Sequence, residues 1–423
     1  MIIFLKKVRV STIFSKFDPV IVEPLELCYL KSVLKTMNIE NYLIDSLFGL
    51  EEPENIAPDL IILTGYNVAE NKVLKEAKMY KEKFPDCKII VGGVHIQLNR
   101  ESFQKDDIDY VIHSQSLHRF KKVIQSIIDN SLPIFKGVDY YNNGHWHLGE
   151  IDSVLKRENI LADRSLFYNF KNKLRYLEKS EVALIKGSIG CPYNCSYCFC
   201  KDLNQGKYIR TNYEKMAEEI NGLDANYYWV VDDVLFANRI DALEFIHSMK
   251  TIVGKKSIIG YLRGDFILKE QDLLAELKIA GLKEVIVGFE ATNNEELESY
   301  DKTINALDYP KIISLLKDYE IDLTALFIVQ ADYKIKDFYN LYRFIKNNKI
   351  EVFTISILTP IKGTKNYNEE KMDLTTLNPE KYDFLHLVKK SKLPKVLFYT
   401  LFYGIHLRLL KSKRVWKYIS GKS

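Results

Sequence analysis

Two successive runs of short apolar segments, each segment followed by a helical pattern, limit this chain to the α/β class. In residues 1–130 the strand candidates are Val8–Phe14, Tyr42–Asp45, Leu60–Thr64, Lys88–Val91 and Asp109–His113. Helical periodicity falls between them, at Glu26–Met37, Glu70–Lys83 and Leu117–Asn130. Strands joined through helices run parallel, because each crossover returns the chain to the edge it left, and a doubly wound sheet follows. Its ligand site lies at the strand C-terminal ends, here the loops Thr64-Gly65-Tyr66, Gly92-Gly93-Val94-His95 and His113-Ser114-Gln115-Ser116. Glycine in such a loop lets the backbone approach a bulky ligand.

Residues 131–180 break this rhythm. Asn143-Gly144, flanked by aromatic residues, predicts a hairpin that sets His145 and His147 on one strand face. From Val182 the alternation resumes, with strands at Val182–Gly187, Tyr227–Asp232, Ser257–Leu262, Glu284–Gly288, Leu323–Val329 and Phe353–Leu358. Helices fit Tyr213–Leu223, Asp241–Thr251, Gln271–Ala280, Tyr309–Asp318 and Phe338–Asn348. Six units without the last two predict an open, partial (β/α)6 TIM-type barrel with catalytic residues at its strand C-termini. The expected domains are therefore a Rossmann-like (flavodoxin-type) unit at 1–130, a linker at 131–180, the barrel at 181–375 and a helical C-terminal region at 376–423.

At 423 residues, 47% of them apolar and 27% charged, the chain has material for two full cores. A net charge of +4 implies no large nucleic-acid footprint. Met1–Val10 is too short and too interrupted by charge for a signal peptide, and reads as the lead-in to a first strand. Four of the six cysteines crowd into 191–200, which suits a reducing, cytoplasmic location better than a disulfide framework. The longest apolar stretch, Val396–Leu410, is shorter than the ~20 residues of a membrane span and is interrupted by His406 and Arg408. Lys411, Lys413, Arg414 and Lys417 follow it. It reads as a terminal helix docked on the barrel, with a helix lying on an anionic membrane as the second reading.

The chemistry concentrates in Cys191-Pro-Tyr-Asn-Cys195-Ser-Tyr-Cys198, after the first barrel strand. Three thiolates spaced four and three residues apart hold three corners of a [4Fe–4S] cube and leave the fourth iron open to a substrate or cofactor. Gly190 and Pro192 turn the chain, and Tyr197 sets an aromatic ring before the third thiolate. A zinc site of Cys191, Cys195, Cys198 and Cys200 is the alternative, but it lacks the second arm around which structural zinc sites fold.

This Cys-x-x-x-Cys-x-aromatic-Cys pattern resembles the signature of the radical S-adenosylmethionine (SAM) superfamily. The resemblance implies that SAM chelates the open iron and is cleaved by one electron to a 5′-deoxyadenosyl radical. It implies SAM contacts by Tyr197, Asp232, Arg263 and Glu290, and catalytic roles for Cys200, Asp232 and Asp233. For Asp232-Asp233 the competing reading is an N-cap of the helix that starts near Asn238–Asp241. Glu290 stands in a Gly-x-Glu motif with Ala291 in place of the usual serine, and Lys302 matches the lysine that follows it. Thr359-Pro360-Ile-Lys362-Gly363-Thr364 resembles the Thr-Pro-x-Pro-Gly-Thr loop with lysine for proline, and Gln330-Ala331-Asp332 replaces a glycine-rich turn.

Residues 1–130 resemble the cobalamin-binding domain of one large radical SAM subgroup, through Glu23-Pro24-Leu25, Tyr29-Leu30, Asp45 and Val91-Gly92-Gly93-Val94-His95. The cobalamin contacts this implies are Thr64, Gly92, Gly93, His95 and Ser114. The Asp-x-His-x-x-Gly run is absent, and His113-Ser-Gln-Ser stands where Gly-Glu-Gly-Glu is usual. His95 reads either as a lower cobalt ligand or as a hydrogen-bonded loop residue. The implied activity is C-methylation of an unactivated carbon in a small-molecule or peptide substrate of secondary metabolism, with flavodoxin or ferredoxin as electron donor. Two alternatives stay open. One is a cobalamin-free peptide epimerase or cyclase in which Cys200 or Cys28 returns a hydrogen atom; the other is a non-catalytic metal-binding module.

Overall fold

The computed structural model describes residues 1–10, 19–152, 158–254 and 256–420. Its first sheet comprises β1 (Ile2–Lys7), β2 (Glu40–Ile44), β3 (Leu60–Thr64), β4 (Lys88–Gly92), β5 (Tyr110–Ile112), β6 (Val138–Asn142) and β7 (His145–His147). The spatial order is β2-β1-β3-β4-β5-β6-β7. Strands β1 to β5 are parallel, in the doubly wound order 2-1-3-4-5. Side chains alternate between its faces as the pleat requires. Phe4, Ile61, Leu63, Ile89 and Val91 pack with Val73, Ala77 and Tyr80 of the helix Glu70–Lys83. Ile3, Leu5, Leu60, Ile62 and Ile90 face the helices Leu25–Thr36 and Leu117–Ile128.

The first strand differs from expectation. It is Ile2–Lys7 itself, not a strand at Val8–Phe14. Val8 lies just past it, its N–H donating to Thr64 O at 2.8 Å, and residues 11–14 of the expected strand lie outside the described residues. The hairpin forms as predicted, with Asn143 and Gly144 both at positive φ (51° and 80°). It does more than link, because β6 pairs antiparallel with β5 and extends the sheet. His145 and His147 are exposed, and His147 stacks on Tyr140 at 4.7 Å.

The second sheet is an open half-barrel of six parallel strands in sequential order: β8 (Val182–Ile185), β9 (Tyr227–Val230), β10 (Ile258–Leu262), β11 (Leu282–Glu290), β12 (Asp322–Val329) and β13 (Val352–Ile357). At the strand N-terminal ends a small sheet (Val20–Ile21, Arg175–Tyr176, Lys179–Ser180) abuts the barrel. There the fully buried Glu284 pairs with Lys179 at 2.6 Å and with Arg414 at 2.8 Å. Arg414 thereby ties the chain's last described helix, Lys413–Ile419, to the barrel.

The helix Lys395–His406 docks through Phe398, Phe402 and Ile405, which join the barrel's core, and Phe338 meets Phe398 edge-on at 5.2 Å. No described helix is long and apolar enough to cross a membrane. Phe402 has no exposed surface. Phe402→Ala is expected to cost about 3–5 kcal/mol, read as a lowered midpoint of urea unfolding followed by tryptophan fluorescence.

Candidate functional site

Strand β8 delivers the chain to the cysteine loop, and Asp232 moors the point where the two meet. Its buried carboxylate accepts hydrogen bonds from the N–H groups of Gly187 and Ser188, both at 2.7 Å, and from Thr211 Oγ1 at 3.1 Å. Burial raises its pKa, opposed by Lys186 and those backbone donors. Asp232 is thus a backbone anchor and is not among the residues that line the large cavity described below. Its neighbour Asp233 lines the cavity. Neither caps the following helix, because Asn238 does, accepting from Asp241 N at 3.1 Å.

The loop is then held from several strand ends. Gly190, at φ +76°, has the Lys207 carbonyl where a Cβ would stand. Tyr193 donates to Ala237 O at 2.9 Å, Ser196 Oγ to Ser299 O at 2.8 Å, and Tyr197 to Glu290 Oε1 at 2.7 Å. Cys198 N donates to Cys195 O at 3.1 Å, closing a turn between two of the three thiols. The three cysteines are partly exposed. Burial pushes the Cys191 thiol up to about 11, whereas a hydrogen bond from Cys200 holds Cys198 below the ordinary thiol value. Among the described residues no three His, Cys, Asp or Glu side chains converge on a single ion.

Cys200 is buried, donates to Asp233 Oδ1 at 3.2 Å, and does not line the cavity. Arg263, expected at the SAM carboxylate, is held bidentately by Asp265 and by Thr303 Oγ1 at 3.1 Å. Its guanidinium stacks on Tyr193 at 4.0 Å and sends Nη1 to Cys195 Sγ at 3.6 Å. Glu290 sits at a bulge in β11 with φ +62°, receiving Tyr197 and Lys302, the latter at 3.1 Å. Asp265, Thr303 and Tyr193 escaped the sequence reading. The i, i+2 spacing of Arg263 and Asp265 at a strand end was the one available signal for the pair.

A cavity of about 1100 Å³ lies between the C-terminal ends of the two sheets. Thr64, Gly92, Gly93 and Ser114 line it from the first sheet, and Lys186, Ser188, Phe199 and Asp233 from the second. Its walls are largely apolar, with Leu25, Tyr29, Leu30, Ile160 and Leu161. The volume exceeds the roughly 300–1,000 Å³ of ordinary small-molecule pockets, so it suits a bulky occupant. Ser114 Oγ is tied to Asp152 Oδ2 at 2.9 Å. His95 is turned away from this cavity. Its Nε2 donates to Glu70 Oε2 at 2.6 Å, its Nδ1 faces the Asn99 amide at 3.2 Å, and Glu70 also receives Lys362 at 2.7 Å. The lysine in the barrel's Thr-Pro-x-Lys-Gly-Thr loop therefore clamps the barrel to the first sheet's helix Glu70–Lys83, and His95 meets the same glutamate.

No protein-family model matches the chain. The hopanoid C-3 methylase of Methylococcus capsulatus is 23% identical over 360 residues, covering 83% of this chain and 68% of that protein. The bacteriochlorophyllide d C-8(2)-methyltransferase of Chlorobaculum tepidum is 28% identical over 350 residues, 79% of this chain and 73% of that protein. Among solved structures, the cobalamin-dependent SAM radical enzyme OxsB, with aqua-cobalamin and SAM bound, superimposes with a TM-score of 0.66 at 15% identity. That match covers 97% of this chain and 56% of OxsB. TsrM from Kitasatospora setae, with cobalamin and a [4Fe–4S] cluster bound, gives 0.68 at 13% identity over 97% of this chain and 90% of TsrM. At such identities these two are likenesses of fold.

Proposed function

We propose, from the premise that the chain belongs to the radical SAM superfamily and its subgroup with an N-terminal cobalamin-binding-like domain, that it is a cobalamin-dependent-type C-methyltransferase. The observation that carries this reading is the cavity of about 1100 Å³ bounded by the Gly92-Gly93 loop on one side and the cysteine loop's flanks on the other. In this reading residues 1–130 form the cobalamin-binding unit, 131–180 the linker with its hairpin, 181–375 the radical core and 376–423 a helical region that braces it. Cys191, Cys195 and Cys198 hold a [4Fe–4S] cluster and leave one iron open to SAM. The cluster, when bound, supplies the electron for SAM cleavage, and cobalamin the methyl carrier.

The chain's own residues bind and orient. Tyr197, Glu290 and Lys302 form a hydrogen-bonded shelf beside the third thiolate, against which the ribose of SAM rests. Asp233 offers a carboxylate to the cavity, and the apolar walls exclude water from an unactivated carbon. Gly93 and Thr64 carry the corrinoid side. An external flavodoxin or ferredoxin supplies the electron, and the substrate is a small molecule or peptide with apolar surface to bury. The peptide-epimerase reading is not favoured, since relatives the chain resembles are named as methylases and methyltransferases.

Anaerobic purification and reconstitution with iron, sulfide and hydroxocobalamin should give about four irons and one cobalt per chain, with SAM-derived 5′-deoxyadenosine under reductant. Cobalt near zero would sink the cobalamin-dependent form. Arg263 places a positive charge on Cys195 sulfur, which stabilises the reduced cluster. Arg263→Gln should retain iron and shift the cluster's midpoint potential to more negative values, followed by potentiometric titration of its electron paramagnetic resonance signal.

A further inference from the structure

Residues 384–423 contain ten lysines and arginines and no aspartate or glutamate, although the whole chain carries a net charge of only +4. The helix Lys395–His406 spends one apolar face, Phe398, Phe402 and Ile405, on the barrel core. The opposite face of a docked helix ordinarily is polar. Here it is not. Val396 (81% exposed), Tyr403 (40%), Leu407 (66%) and Leu410 (49%) form one outward stripe along Lys395–Lys411, with exposed Thr400 completing the helical spacing. Trp416 and Ile419, each about half exposed, continue it on the helix Lys413–Ile419. Lys395, Lys411, Lys413 and Lys417 are exposed around it, with no ion pair among the described residues.

We propose that this C-terminal face docks on the surface of an anionic lipid bilayer, lying in the headgroup plane without crossing it. Apolar side chains rimmed by unpaired lysines, with tryptophan and tyrosine among them, match the acyl boundary and the phosphate layer together. A second copy of the chain fits poorly, because a symmetric contact through this face would oppose two lysine-rich segments that carry no acidic residue of their own. A nucleic acid would leave the apolar stripe without a partner. The inference does not depend on the activity proposed above, since none of these residues lines the cavity.

The test is flotation of the full chain with vesicles of phosphatidylcholine alone or with about one third phosphatidylglycerol. Binding to the anionic vesicles should exceed binding to the neutral ones at least tenfold and fall steeply as salt rises from about 0.05 to 0.5 M. Leu407→Glu and the double variant K411E/K413E, all at exposed positions, should each lower anionic-vesicle binding at least tenfold without moving the unfolding midpoint. Equal binding of wild type and both variants would overturn the proposal, as would no binding to either vesicle. A wild-type dimer in light scattering that Leu407→Glu dissociates would also overturn it and assign the face to self-association.

Discussion

Alanine at Cys191, Cys195 or Cys198, taken singly, is expected to strip the iron and abolish SAM cleavage while the fold survives. The fold survives because the thiols are partly exposed and belong to no core cluster, whereas the loop is held by Tyr193, Ser196 and Tyr197 reaching Ala237, Ser299 and Glu290. The iron does not survive, because two thiolates leave two cluster irons without protein ligands. The loss in cleavage should exceed the roughly 100-fold that removing an outer partner of a metal ligand costs. Iron content, the charge-transfer absorption of the cluster and 5′-deoxyadenosine production read the effect, and circular dichroism checks the fold. Cys200→Ala is the matched control, a buried thiol two residues further on that should keep full iron. A cysteine-triad variant that retains four irons per chain would show that the ligands lie elsewhere.

What could be read from the residues was what local chemistry decides. The helices at Glu70–Lys83 and Tyr309–Asp318 fall where their periodicity put them, and the cysteine spacing is a property of one loop. What could not be read depended on partners far along the chain. Lys6 and Lys7 look like an interruption of the first strand, yet Lys7 is buried, its ammonium paired with Glu26 and set over the Tyr66 ring, and Lys6 reaches Glu76 and Tyr80. Asp232 and Asp233 are one motif in sequence, but in the fold Asp232 anchors the backbone of Gly187 and Ser188 whereas Asp233 lines the cavity. His95 follows a glycine pair at a strand end, where a metal ligand could sit. Glu70, 25 residues earlier in the chain, is the partner its Nε2 meets.

Gly93→Val is expected to cut cobalt uptake at least tenfold and leave iron unchanged. Gly93 holds φ +119° and ψ 175°, a conformation essentially restricted to glycine, where the chain turns from β4 into the short helix Val94–Leu98. A Cβ built there stands 2.6 Å from Thr64 Oγ1, and Thr64 is buried at the end of the central strand β3. Backbone strain of about 1–3 kcal/mol and overpacking of about 1–3 kcal/mol act at the same residue, and the exit from both is movement of the loop into the cavity. The second sheet, the cysteine loop and its anchors lie across that cavity and are untouched, so SAM cleavage persists while methyl transfer is lost. Gly144→Ala separates strain from place. It has the same need for positive φ (+80°) at the tip of the hairpin, with nothing within 4 Å of its Cβ, and should lower stability without changing cobalt content. Wild-type cobalt stoichiometry in Gly93→Val would remove the first sheet's loops from the corrinoid site and leave the large cavity to the substrate alone.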